Sequence, residues 1–356
     1  MSFKALKIAQ IVPSLANKGP VIVARDLVRV FIKMGHKCIV YYFDDIKELE
    51  FNCGTNKISF WDSQDFTQFD IVHVHALRPS IYAAIQKLKF KHKNVKFVST
   101  IHQPFSYKAF RLTRGKLLSL TFSLISTYVY RFLDKNIVLS KHQKELCSSY
   151  IKERKLKVIK NGRDIDLSKI DQTIEDSAKS FADNYKIIGS ISVIIKRKGL
   201  EQIIKSLVSL KSWAFICIGD GDELKSLKDL ALKLGVDKRC LWLGYKKNAN
   251  IYYKIFDVFA IPSRSEGFPL AFIEASAYGV PTILSDIPIL KSVATEKQAV
   301  FFKLDDIVSF VKSVNYIIEN KNMYSKNLKK YYRSELTADV MGKNYVESFL
   351  NLIENE

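Results

Sequence analysis

Short apolar runs alternate with stretches of helical periodicity along almost the whole chain, the pattern of parallel sheets whose strands are joined by crossover helices. In the first half the spacing predicts strands over 6–12, 38–43, 71–75, 97–101, 137–139 and 156–159, and a helix over 21–34. Asn161-Gly162 and the polar stretch 164–183 interrupt this series, and a second one opens with a strand over 187–192. There Leu200, Ile203, Ile204 and Leu207 mark one helical face, with strands expected over 214–218, 258–261 and 282–284 and helices over 224–234 and 338–353. The reading is an α/β protein with two doubly wound domains, 1–163 and 164–337. At 356 residues the chain is long enough for each to hold its own core.

One run breaks the alternation. Residues 117–130 carry no charge and are rich in Leu, Phe, Tyr, Ser and Thr, yet the run falls short of the roughly 20 residues that span a bilayer as a helix. It predicts a helix buried against the first sheet. Its flanks keep an interfacial helix open as the alternative. Arg111, Arg114 and Lys116 lie on one side, Arg131 and Lys135 on the other, and Phe105, Tyr107 and Phe110 upstream, interleaving basic and aromatic groups as a headgroup layer requires.

The charge distribution sharpens this. The formal net charge is +20, and residues 78–163 carry 20 basic against 3 acidic groups, whereas 1–77 carry 9 against 8 and 164–356 carry 27 against 25. A surface so biased attracts polyanions: nucleic acid, an anionic membrane surface or phosphorylated ligands. A solvated lysine-rich face is the plain alternative. No helix-turn-helix, zinc-finger or RNA-binding signature accompanies the charge, so a nucleic-acid-binding protein is the lesser reading. Five scattered cysteines, Cys38, Cys53, Cys147, Cys217 and Cys240, have no paired spacing and read as reduced thiols. Lys4 and Lys7 precede only a short apolar run ending at Pro13, which reads as a first strand and not a secretory leader, so a cytoplasmic location is expected.

The most informative chemistry lies in the run from Pro262 to Ala275, PSRSEGFPLAFIEA. In one continuous helix, residues eight apart would be rotated by about 80°, so a ligand shared by Glu266 and Glu274 requires the first on a loop and the second on the helix that follows. Pro269 supports that break, because proline is tolerated in the first helical turn. The amides before it would point outward with the positive end of the helix dipole, which suits an anion or a polyhydroxylated ligand.

With this run, "FICIGDGDELKSLKDLALKLGV", "LWLGY", "VIKNGRDID" and, more weakly, "FDIVHVHALRPSIYAA" and "VSTIHQPF", the chain resembles the retaining nucleotide-sugar glycosyltransferases of family four, of the bacterial surface-polysaccharide type. The resemblance implies the GT-B fold, two Rossmann-like domains facing a cleft, with the last helix, about 338–356, crossing back to complete the first. It implies transfer of a hexose or N-acetylhexosamine from a nucleotide sugar, a UDP-sugar above all, to a surface-glycan acceptor carried on a polyprenyl diphosphate. The enzyme would work on the inner face of the cell membrane.

The same resemblance assigns roles. Glu274 would accept bonds from the ribose hydroxyls, while Glu266 and the amides around Gly267 and Phe268 would hold the donor sugar. Lys198, in "KRKGL", would meet the diphosphate, and Gly19 would let the backbone approach the phosphates. Pro269 and Tyr245 fall on the donor side, and His102, after the strand "FVST", near the transferred sugar. The family's arginine after the glycine of the preceding strand is Ser190 here, so Lys196 or Arg197 would supply the second positive charge. That departure leaves open a non-catalytic nucleotide-sugar-binding homologue, and a sugar epimerase on the same scaffold is a further rival. No cofactor or metal is expected. His73 and His75 lack a third ligand of zinc spacing, and Asp220-Gly221-Asp222 reads as a turn and helix cap.

Overall fold

The computed structural model describes residues 5–90, 94–103, 116–167 and 174–354. The chain divides into two compact units, Met1–Asp164 with Thr337–Glu356, and Ile165–Leu336.

In the first unit seven strands form one sheet in the order β3-β2-β1-β4-β5-β6-β7. They are β1 (Lys7–Leu15), β2 (Lys37–Lys47), β3 (Gly54–Lys57), β4 (Ile71–His75), β5 (Lys96–Ile101), β6 (Lys135–Val138) and β7 (Leu156–Val158), all paired in parallel. Central strands such as β4 and β5 are buried at every position, as parallel strands covered on both faces must be. The edge strand β3, Gly-Thr-Asn-Lys, is exposed throughout and has no apolar periodicity from which to predict it. The covering helices are α1 (Gly19–Lys33), α2 (Leu77–Phe90), α3 (Lys116–Phe132) and α4 (Lys141–Ser148). A C-terminal helix over Ala338–Glu354 joins them on α1: Phe31 and Phe349 rings lie 5.8 Å apart, and a Cβ on Gly342 would stand 2.3 Å from Val30 Cγ1.

Helix α3 corrects an expectation. Its inward side is made of Ser119, Ser123, Ser126, Thr127, Val129 and Tyr130, whereas Leu117, Leu118, Leu120, Leu124, Ile125 and Tyr128 are exposed. Buried hydroxyls are tolerated there because Ser126 and Thr127 donate to the carbonyls of Phe122 and Ser123 at 2.6 and 2.9 Å. No helix among the described residues is long and apolar enough to cross a membrane.

The second unit repeats the plan with six parallel strands in the order β10-β9-β8-β11-β12-β13. These are β8 (Lys186–Ile191), β9 (Trp213–Ile218), β10 (Cys240–Trp242), β11 (Val258–Ile261), β12 (Thr282–Ser285) and β13 (Ala299–Phe302). Its helices are α5 (Asp176–Asn184), α6 (Glu201–Ser206), α7 (Leu224–Lys233), α8 (Leu270–Tyr278), α9 (Pro288–Val293), α10 (Ile307–Glu319) and α11 (Lys321–Glu335); the C-terminal helix of the first unit, Ala338–Glu354, is α12. Strand order reverses between β1 and β4 in one sheet and between β8 and β11 in the other. At such switch points doubly wound sheets receive ligands outside the carboxyl ends of the strands.

Candidate active site

At the second switch point β11 ends at Ile261, and the chain loops to α8, which starts at Leu270. Pro269 is the N-cap (φ −69°, ψ 117°), one residue before the first helical turn predicted for it. Glu266 therefore sits on the loop and Glu274 on the helix. Glu266 is only 6% exposed, with Lys198 Nζ 2.6 Å from its Oε1, Ser263 Oγ donating to the same oxygen at 2.7 Å, and Arg197 Nη1 3.6 Å from Oε2. Burial alone would raise the Glu266 pKa, but Lys198 and Arg197 outweigh it and hold the carboxyl below its usual range. The amides of Gly267 and Phe268 donate to no group among the described residues. Glu274 is half-buried and accepts from Tyr253 Oη at 3.2 Å.

Two loops are stitched together to hold this arrangement. Residues Lys196–Lys198 form a 3₁₀ turn closed by Gly199 at φ +65°, where a Cβ would also stand 2.2 Å from the Pro262 carbonyl oxygen. Gln202 Nε2 donates to that carbonyl at 2.9 Å, the Arg264 amide donates to Arg197 O at 2.8 Å, and the Arg264 guanidinium reaches Lys196 O at 3.1 Å and Glu201 at 2.6 Å. Arg197 in turn donates to the Ser265 carbonyl. Of the two residues proposed for the second positive charge, the fold brings Arg197 to Glu266 and leaves Lys196 exposed. Ser190 is buried within β8.

Two further positions singled out in the sequence lie along the same carboxyl edge. Tyr245 follows β10 and is 67% exposed. Asp220 and Gly221 form the turn after β9, where Asp220 Oδ1 accepts the Gly221 amide at 2.7 Å and the Asp220 carbonyl accepts from Ile194 at 2.8 Å. The cap predicted for Asp222 falls instead on Glu223, with no side-chain bond, because α7 begins only at Leu224.

In the first unit Gly19 opens α1 directly before Pro20. His102 follows β5, half-buried, with Nε2 2.9 Å from His75 Nδ1, and His75 Nε2 lies 2.9 Å from Gln10 Oε1. Alongside runs a second chain, His73 to Thr100 at 2.7 Å and Thr100 to Tyr345 at 2.9 Å. Burial pushes the pKa of His73 and of His102 down to about 3 and that of His75 well below its ordinary value, so all three imidazoles are neutral. Lys116 opens α3, while Arg111 and Arg114 lie outside the described residues.

The comparisons with known proteins cover both units. The model for glycosyl transferases group 1 matches residues 171–335, and that for glycosyltransferase family 4 matches residues 18–167. The chain belongs to the family-four glycosyltransferases of the GT-B fold. Among its relatives, the Escherichia coli O-antigen biosynthesis glycosyltransferase WclY is 25% identical over 98% of this chain and 99% of its own. The E. coli UDP-Gal:alpha-D-GlcNAc-diphosphoundecaprenol alpha-1,3-galactosyltransferase is 27% identical over 73% and 70%. Among solved structures, Anabaena HepE in complex with UDP and glucose shares the fold with a TM-score of 0.81 at 16% identity, over 97% of this chain and 100% of that one.

Some neighbours in this glycosyltransferase escape sequence reading. Ser263, three residues before Glu266, was within reach of a turn argument. Gln10 and His75 were not, because only the pairing of β1 with β4 and of β4 with β5 places them beside His102. Tyr253 reaches Glu274 from a 3₁₀ segment twenty-one residues upstream.

Proposed function

We propose that this glycosyltransferase moves a hexose or N-acetylhexosamine, with retention of anomeric configuration, from a UDP-sugar to a glycan carried on a polyprenyl diphosphate. The observation that carries this reading is the buried Glu266, kept ionised by Lys198 and Arg197 beside the open amides of Gly267 and Phe268. Carboxylate and amides together offer acceptors and donors to a polyhydroxylated ring. Lys198 spends one of its three N–H donors on Glu266 and keeps two for a diphosphate. UDP and the lipid-linked acceptor are supported by the name of the galactosyltransferase relative.

In the proposed reaction the anomeric C–O bond breaks with its electron pair leaving on the diphosphate, where Lys198 and Arg197 stabilise the growing charge. An acceptor hydroxyl attacks the anomeric carbon from the face the diphosphate leaves, and its proton passes to a diphosphate oxygen. Glu274 holds the ribose hydroxyls, and neutral His102 offers a hydrogen bond to a sugar hydroxyl. These cations take the role a divalent ion plays elsewhere, so a metal-independent reaction is proposed.

A cytoplasmic, peripheral membrane location belongs to the same reading, and α3 supports it. Its outward apolar face ends at Arg131, which with Lys152, Arg154, Lys155 and Tyr150 lines a cavity of about 500 Å³. Apolar side chains bordered by clustered cations suit an anionic bilayer surface. Incubation with a panel of nucleotide sugars, followed by measurement of diphosphate release and of the product's anomeric proton coupling, tests the central proposal. Release from a UDP-sugar with retained configuration is expected, and no release from any donor, or an inverted product, would overturn it.

A further inference from the structure

A second cavity, of about 510 Å³, lies wholly within the first unit at the carboxyl ends of β2, β3 and β4, and is lined by Phe43, Lys57, Ser59, Phe60, Trp61 and Arg78. Trp61 is 84% exposed on an otherwise fixed turn. The Ser59 amide donates to Asp62 Oδ2 at 2.7 Å, while Tyr82 Oη and Gln86 Nε2 on α2 hold the Asp62 carbonyl at 3.1 and 3.0 Å. Beneath the indole the rings of Phe60, Phe43 and Tyr82 pack with centroid separations of 5.3–6.2 Å, Phe60 meeting Trp61 edge-on. The indole is thus supported from one side and open on the other.

The charges around it are balanced. Arg78 lies over the Phe43 ring at 4.7 Å and donates through Nη1 to both oxygens of Asp44 at 2.7 and 3.0 Å, and Lys57 lies 3.3 Å from Asp45. A neutral, aromatic cavity rich in donors and acceptors favours a neutral polyol over a phosphate. The basic cavity beside Arg131 has the opposite character.

We infer that the Trp61 cavity binds a pyranose ring of the glycan acceptor, the apolar face of the sugar stacking on the indole while Asp44, Ser59 and Arg78 bond its hydroxyls. Assigning the ring to the acceptor rests on the glycosyltransferase reading; binding of a sugar there does not.

The test is ¹⁹F NMR of the full chain labelled with 5-fluorotryptophan, titrated with the methyl glycosides of glucose, galactose and N-acetylglucosamine. Trp61→Phe assigns one of the three tryptophan resonances, and buried Trp213 together with Trp242, packed on Phe215, reports the fold. The Trp61 resonance should move with at least one glycoside while the other two stay, and Arg78→Met should weaken that binding about tenfold. A Trp61 resonance unmoved by all three, or moved only by inorganic diphosphate or by phosphatidylglycerol vesicles, overturns the inference. Because the readout needs no turnover, a silent Trp61 in an enzyme that releases diphosphate sinks the cavity alone and leaves the transferase reading intact.

Discussion

Lys198 Nζ lies 2.6 Å from Glu266 Oε1, and this contact ties two loops that are 68 residues apart in the chain. A carboxylate so buried is stable as an anion only because Lys198 and Arg197 face it, and those cations are drawn to the site by the carboxylate in return. In the proposed reading, donor binding and local stability therefore share one ion pair.

The first prediction follows from that sharing. Glu266→Ala leaves the partly buried Lys198 and Arg197 without their counter-charge, which should destabilise the second unit by about 3–5 kcal/mol. Glu266→Gln keeps the shape, so it should fold and yet lose turnover by about 10–100-fold, the equivalent of one charge-assisted bond. Glu274→Ala, at a half-buried helical position, should mainly raise the Kd for the nucleotide. Calorimetric titration with UDP beside steady-state kinetics separates the two; wild-type turnover by Glu266→Gln would remove the assignment.

Acid should destabilise the first unit well above the carboxylate range. His73 and His75 are fully buried with depressed pKa values, whereas the unfolded chain takes up both protons near pH 6.5. Their contribution is intact above that pH and is lost as pH falls from about 6.5 toward 3, at up to about 2.7 kcal/mol per pH unit for the pair. Urea denaturation at stepped pH measures the slope, and His73→Gln should reduce it. A first-unit transition that does not move between pH 7 and pH 5 would contradict the buried neutral imidazoles.

The pH dependence of turnover should carry no inflection from His102, whose pKa is pushed down to about 3. An inflection near the ordinary imidazole value, about pH 6.5, abolished in His102→Gln, would show that the ring is charged in the working enzyme.

Vesicles containing anionic lipid should bring the protein down on sedimentation, and salt should release part of it, since screening shortens the reach of the charges to about 10 Å at 0.1 M. Replacing exposed Leu120 and Leu124 by Asp should weaken binding even at low salt, while Lys152→Glu with Arg154→Glu should abolish its preference for anionic lipid, worth about 1 kcal/mol per cation. Equal binding of all variants would show that α3 and its basic neighbours face something other than a bilayer.

A chelator should leave diphosphate release unchanged if Lys198 and Arg197 carry the charge of the leaving group. Strict dependence on added Mg²⁺ or Mn²⁺ would return Asp220 and Asp222 to the site.

Much of this was legible in the chain itself. Strands buried on both faces announce themselves as continuous apolar runs, and the placement of Glu266 on a loop and Glu274 on a helix follows from Pro269 and the spacing between them. What the sequence could not decide were questions of partnership. Three adjacent cations, Lys196, Arg197 and Lys198, are indistinguishable as a charge run, and only the turn closed by Gly199 against Pro262 points two of them at Glu266 and one at solvent. The inverted faces of α3 were hidden for a similar reason. Apolar composition reports how much surface wants to leave water, but α3 packs against α2 with its serine-rich side buried, and only such contacts between distant segments decide which side turns out. Gln10, His75 and His102 likewise meet only because β1, β4 and β5 pair in register, a long-range choice that no local periodicity encodes.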